Sequence, residues 1–230
     1  MQLQPVQLPP ACATSYDGWA MPPRVVSDQD EAAERTALKV TNRSLHGTEP
    51  EGSAAATLAT HLLHGLDGRL AHSATVAAQI ERVADLVETD WRPSARAAAW
   101  LHDVGYHPDL ARTGFHPLDG ARWLRDHAWP DETCRLVAWH TQSLEEALLY
   151  GFATELAAEF DPPPQLAASA LAWADLTSSP NGELWDPERR LAEILDRYPP
   201  GSNVHEATRR SLPRLRAAVT QIEDLLCDGR

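Results

Sequence analysis

The chain has 230 residues, of which 43% are apolar, enough for one folded domain with a substantial core and some remainder. A formal net charge of −13 makes binding to nucleic-acid polymers or anionic membrane surfaces electrostatically unfavourable overall, and leaves a local basic pocket for a small anion as the compatible alternative. Cys12, Cys134 and Cys227 are scattered and lack a CxxC pair, and no apolar run approaches the roughly 20 residues of a membrane span, so the expectation is a reduced, cytoplasmic protein without a disulfide framework or thiolate metal site.

Residues 1–52 read as a proline-rich N-terminal extension. Pro5, Pro9, Pro10, Pro22 and Pro23 interrupt any long element, and Met1 to Pro10 has neither the charge nor the apolar run of a signal peptide. One short helix is expected from about Gln29 to Val40, capped by Asp28 with Glu31 three residues on, and Trp19 and Met21 are candidates to pin the extension down.

From Ser53 the pattern is helical, and residues 53–230 read as one all-α domain. A first helix spans about Ser53–His64, and a second follows Gly65 and Gly68 and runs to about Val87. There Val76, Ile80, Val83 and Val87 form one buried stripe, and the turn before it carries His72 inward. An alanine-rich helix from about Pro93 ends in the adjacent pair His102-Asp103. A loop over Val104–Phe115, marked by Gly105, Pro108 and Gly114, leads to His116-Pro117, where a helix starts that should end near Ala128. The next helix puts Leu136, Val137 and His140 on one face. Leu144–Phe160 forms one or two helices broken near Gly151. After Pro162-Pro163-Pro164, a helix over Gln165–Leu176 sets Asp175 one turn from Leu171. Asp186-Pro187 caps a helix through Tyr198 with Leu191, Ile194, Leu195 and Tyr198 inward. The last helix, from about Asn203, should break or kink at Pro213 and bury Leu215, Val219, Ile222 and Leu226.

His72, His102, Asp103, His116, His140 and Asp175 therefore face inward from several helices. One such histidine is ordinarily a satisfied core residue or cap. Six such groups, two of them carboxylates, are costly to bury without a cation, and a nitrogen and oxygen donor set without thiolate suits Fe, Mn, Co, Ni or Zn, with Mg at a carboxylate-rich site. His61 and His64 read as peripheral.

This ordered set resembles the HD-domain superfamily of metal-dependent phosphohydrolases over about Gly68 to Gly182. The similarity includes Arg69-Leu-Ala-His72-Ser, Leu101-His102-Asp103-Val-Gly, His116-Pro-Leu-Asp-Gly-Ala-Arg, Leu136-Val-Ala-Trp-His140 and Ala174-Asp175-Leu-Thr before a Pro-Asn-Gly turn. The resemblance implies an all-α HD-type helical bundle with a metal site in its core. Its first metal would be held by His72, His102, Asp103 and Asp175, and a second by His116 and His140 with Asp103 bridging. Two divalent ions about 3.5 to 4 Å apart would then activate a bridging hydroxide against a phosphoester of a nucleotide or other small metabolite. The same six ligands occur in mixed-valence di-iron oxygenases of the superfamily, and a noncatalytic metal-binding sensing module is a third reading.

Around the metal set, Arg69 and Arg112 are candidate phosphate clamps, with Arg69 also counted among the catalytic groups beside Asp103. His107 is a candidate proton donor to the leaving group. Several two-metal relatives carry lysine after HD-x-Gly. Here Tyr106 takes that place as a candidate substrate contact, and Lys39 is the only lysine in the chain. Glu146 is a candidate substrate-side acid that could orient an imidazole. The expected partner is a small anionic substrate. Oligomeric state is not legible.

Overall fold

The computed structural model describes residues 51–66 and 68–228, so the helix expected over 29–40 and the contacts expected of Trp19 and Met21 lie outside the described residues. Ten α-helices account for most of this region, and among the described residues the only β-type pairing is an isolated bridge between Ser178 and Leu184. They are α1 (Glu51–Leu62), α2 (Arg69–Val83), α3 (Arg92–Leu101), α4 (His116–Asp126), α5 (Asp131–Ala138), α6 (Ser143–Tyr150), α7 (Ala153–Glu159), α8 (Gln165–Leu176), α9 (Pro187–Arg197) and α10 (Asn203–Asp228).

The alanine-rich α3 is central. Ala95, Ala97, Ala98, Ala99 and Leu101 are fully buried, and their small side chains let α1, α2, α5 and α8 all pack closely against one short helix. Around that centre, α4 packs on α5, and α10 crosses α8 and α6 and supports α9. The α2 stripe of Val76, Ile80, Val83 and Val87 is buried as its spacing requires. The α-helix itself stops at Val83, four residues short of the expected end. A 3₁₀ turn over Ala84–Leu86 follows, held by Arg92, whose side chain donates to the carbonyls of Val87 and Asp85.

Leu144–Phe160 does divide at Gly151, whose φ of 84° ends α6 in the left-handed conformation that glycine adopts without cost. Two expectations fail locally. Ile194, Leu195 and Tyr198 of the α9 region are only half-buried, because Ile194 and Tyr198 line a cavity. And α10 runs unbroken through Pro213. Pro213 is exposed, so the carbonyl it leaves without a helical donor can be hydrated, while Leu215, Val219 and Ile222 hold the buried face in line across it.

Candidate metal centre

His72 sits in the first turn of α2, where the segment 178–184 packs against the helix. That approach requires glycine at two places: a Cβ on Gly68 would lie 2.4 Å from the carbonyl oxygen of Pro180, and one on Gly182 would lie 2.7 Å from that of Ala71, both residues having φ above 70°. The close fit carries the Ser179 carbonyl to His72, 3.0 Å from Nδ1. His102 follows the last turn of α3, with Nδ1 3.0 Å from the carbonyl of Ala99. His140 lies just past α5, with Nδ1 2.7 Å from the carbonyl of Val137. A carbonyl can only accept, so all three rings carry the proton on Nδ1 and, when neutral, present the Nε2 lone pair to the interior.

These lone pairs converge. Nε2 of His72 is 3.3 Å from Nε2 of His102 and 3.1 Å from Oδ1 of Asp175, and Nε2 of His116 is 3.2 Å from Nε2 of His140. Oδ1 of Asp103 lies between the two groups, 3.7 Å from His102 Nε2 and 3.6 Å from His116 Nε2. The donors form two clusters, His72, His102 and Asp175 in one and Asp103, His116 and His140 in the other. Metal bonds of about 2.1 Å set neighbouring donors roughly 3.0 Å apart in an octahedron and roughly 3.4 Å in a tetrahedron; the contacts within the two histidine pairs and from His72 to Asp175 fall in that range, and those of Asp103 lie slightly beyond it.

Two imidazole lone pairs 3.3 Å apart repel unless a cation lies between them. Burial pushes His102 down to about 4, so near neutral pH that ring does not supply the charge itself. Burial works to raise the carboxyls of Asp103 and Asp175, yet nearby positive charge, His102 when protonated and Arg69 at Asp103, and His72 when protonated on Nε2 at Asp175, holds both well below the usual range. Two ionised carboxylates among buried imidazoles with lone pairs turned inward fit divalent ions.

The sequence pattern of the HD domain matches residues 69–198. The chain belongs to the HD-domain family. No curated protein and no solved structure matches it.

Within the HD domain, the pair that gives it its name is held by backbone contact. A Cβ on Gly105 would fall 2.0 Å from the carbonyl oxygen of His116 and 2.7 Å from the amide nitrogen of Gly120, so the turn after Asp103 lies flush against α4 and sets Asp103 beside His116. On α4, buried Asp119 accepts from the backbone N–H groups of Arg112, Thr113 and Gly114 and from the Thr113 hydroxyl, tying the loop over 104–115 to the helix.

A cavity of about 100 Å³ opens beside both clusters. Of the candidates beyond the ligands, Arg69, Tyr106 and Glu146 line it. Arg69 donates from Nη1 to Asp103 Oδ2 at 2.8 Å and lies 3.2 Å from the centroid of the Tyr106 ring; burial disfavours its charge, but Asp103 and Tyr106 outweigh this and raise its pKa. Burial also pushes Tyr106 well above the usual phenol range, leaving a protonated hydroxyl at the cavity. Glu146 is buried rather than on a helix surface. Burial raises its carboxyl to about 7, against which the Gln142 side-chain amide donates to it at 2.5 Å. The hydrogen bonds that orient His72, His102 and His140 come from backbone carbonyls, so orienting those rings is not left to Glu146.

Arg112 and His107 are not among the lining residues. Arg112 is exposed and serves Asp119 through its backbone, and His107 Nδ1 accepts from the Asp109 N–H at 3.2 Å. Groups the sequence reading passed over also reach the site. The Thr141 hydroxyl donates to Asp175 Oδ2 at 2.5 Å from a residue with φ of 46°, a strained conformation for a β-branched residue. Arg190 and Arg197 come in from α9, beside Tyr198, which was expected to face inward. Their half of the wall lies after the last recognisable motif, with nothing local in the sequence to tie it to the metal ligands.

Proposed function

We propose that this protein is a metal-dependent phosphohydrolase acting on a phosphoester of a nucleotide or other small metabolite. The observation that carries the reading is the convergence of two three-donor clusters on Asp103, next to a cavity that also receives the Arg69 guanidinium. His72, His102 and Asp175 would hold one divalent ion, His116 and His140 a second, and Asp103 would contact both. When bound, such a pair lowers the pKa of water, supplying a nucleophile near neutral pH, and offsets charge on phosphoryl oxygens.

The remaining work falls to the chain's own side chains. Arg69, paired with Asp103 and stacked on Tyr106 at the cavity, would offer its guanidinium charge to a phosphoryl oxygen. The Tyr106 hydroxyl would donate to substrate. Glu146 is positioned better than His107 to pass a proton to the leaving oxygen, because it lines the cavity and His107 does not. That replaces the role first assigned to His107.

The test is metal analysis of protein purified without added metal, followed by phosphate release from a panel of nucleotides and small phosphoesters with Mn, Co, Ni and Fe. Metal-dependent release that is lost in His72→Ala supports the reading. Stoichiometric iron with a mixed-valence EPR signal and no phosphate from any substrate would replace it with the oxygenase alternative.

A further inference from the structure

On the wall of the cavity formed by α9, one carboxylate serves two guanidinium groups. Nη1 of Arg190 donates to Glu193 Oε2 at 2.5 Å, and Nη2 of Arg197 donates to Oε1 of the same Glu193. Arg190 is largely buried, its side chain 12% exposed, and its Nε is buried with no hydrogen-bond partner among the described residues. Buried charges are nearly always balanced, so a largely buried guanidinium that lines the cavity and shares its paired carboxylate with a second arginine has positive charge to spare for an incoming anion. The carboxylates lining the cavity are engaged elsewhere: Asp103 with Arg69, Asp175 with His72 and Thr141, and Glu146 with the Gln142 side-chain amide.

We infer that Arg190 and Arg197 form a second anion subsite, and that the substrate is a small phosphoester carrying another acidic group, a carboxylate or second phosphate, some atoms away from the scissile phosphate. This rests on the phosphohydrolase reading for the scissile group alone. The same cavity is lined by Arg69 beside the metal ligands and by Arg190 and Arg197 from α9, so one small molecule can meet both groups of guanidinium. Tyr198 and Ile194 would cover the short carbon chain between the two acidic ends. Glu193 acts as a placeholder, pairing with both arginines until the incoming anion takes up donors it leaves unsatisfied.

Two matched pairs of probes separate this inference from the reading beneath it. In calorimetric titration of the full-length protein, phosphonopropionate, which cannot be hydrolysed, should bind at least about 10-fold more tightly than hydroxypropyl phosphonate, the difference expected for one charge-assisted bidentate contact. Arg190→Gln should bring the two ligands to within about 2-fold of each other, mainly by weakening the phosphonopropionate, with Arg197→Gln at the more exposed rim as the check if Arg190→Gln fails to fold. Equal binding by the wild type, no binding of either phosphonate, or discrimination that survives both substitutions would overturn the second subsite. Phosphate release is read separately, from the same panel with phosphoglycolate and hydroxyethyl phosphate added: if no compound releases phosphate while the phosphonates are still discriminated, the hydrolase reading fails and the subsite stands.

Discussion

Tyr106 lies flat on His116, with ring centroids 3.9 Å apart and an interplanar angle of 19°. Arg69 sits 3.2 Å from the Tyr106 centroid, necessarily over the opposite face. His116 needs this support because its Nδ1 is buried without a hydrogen-bond partner among the described residues, whereas the other three ligand imidazoles are pinned by backbone carbonyls. Stacking fixes the plane of the ring and leaves the tautomer free. Tyr106→Leu should therefore weaken metal binding at the cluster of Asp103, His116 and His140 by about 10- to 100-fold, the usual cost of losing a group that orients a ligand, and leave the other cluster unchanged. Competition with a fluorescent chelator, resolving two affinities, checks this.

Much of this arrangement is legible in the sequence because it is local. His72, His102 and Asp175 come from helices whose apolar period is clear, and the order of motifs marks all six donors. The far wall of the cavity is not legible. Arg190 and Arg197 lie seven positions apart on an otherwise ordinary charged helix, and it is the packing of α9 against α10 and α8 that brings them to the cavity. Arg112 misleads for the same reason: loop position suggested a clamp, but Asp119 gathers the loop's backbone donors and leaves the side chain at the surface. Pro213 shows that a residue's intrinsic preference can be outvoted by a continuous buried face.

Gly105 is where an added side chain would meet the tightest backbone contact, closer than at Gly68 or Gly182. A methyl group there would meet the His116 carbonyl at 2.0 Å and the Gly120 backbone at 2.7 Å, and neither is the end of a flexible side chain. Relieving that clash means moving the turn off α4, with Asp103 riding on it. Gly105→Ala should cost about 3 kcal/mol or more in urea unfolding, and should lower metal stoichiometry even in the fraction that remains folded.

Glu146 gives the metal-free protein a definite pH dependence. Its carboxyl is raised from 4.5 to about 7 by burial and by Asp103 and Asp175, so between those values the native state holds a proton the unfolded chain has released. Its contribution to stability is then fully present below about 4.5 and is lost as pH rises through about 7, amounting to about 3 kcal/mol at most. Glu146→Gln keeps an acceptor for Gln142 and removes the titration. In chelator-treated samples, wild-type stability from urea melts should fall relative to this variant between pH 5 and 8; parallel curves would mean that Glu146 ionises at an ordinary pH.

The sharing of Asp103 between clusters makes its removal different in kind from that of any other ligand. Oδ1 faces His102 on one side and His116 on the other, while Oδ2 holds Arg69. Asp103→Ala deletes the anion common to both clusters and leaves the Arg69 charge uncompensated between them, so an incoming divalent ion meets a buried cation where it had a carboxylate. Both ions should be lost, and any phosphate release with them. His140→Ala removes a neutral donor from one cluster only, and should deplete one ion while the cluster of His72, His102 and Asp175 keeps its own. Metal content per chain, measured after dialysis against a weak chelator, distinguishes the two cases: two ions for wild type, one for His140→Ala and none for Asp103→Ala. Retention of one full equivalent by Asp103→Ala would show that the two clusters bind independently and that Asp103 serves only the second.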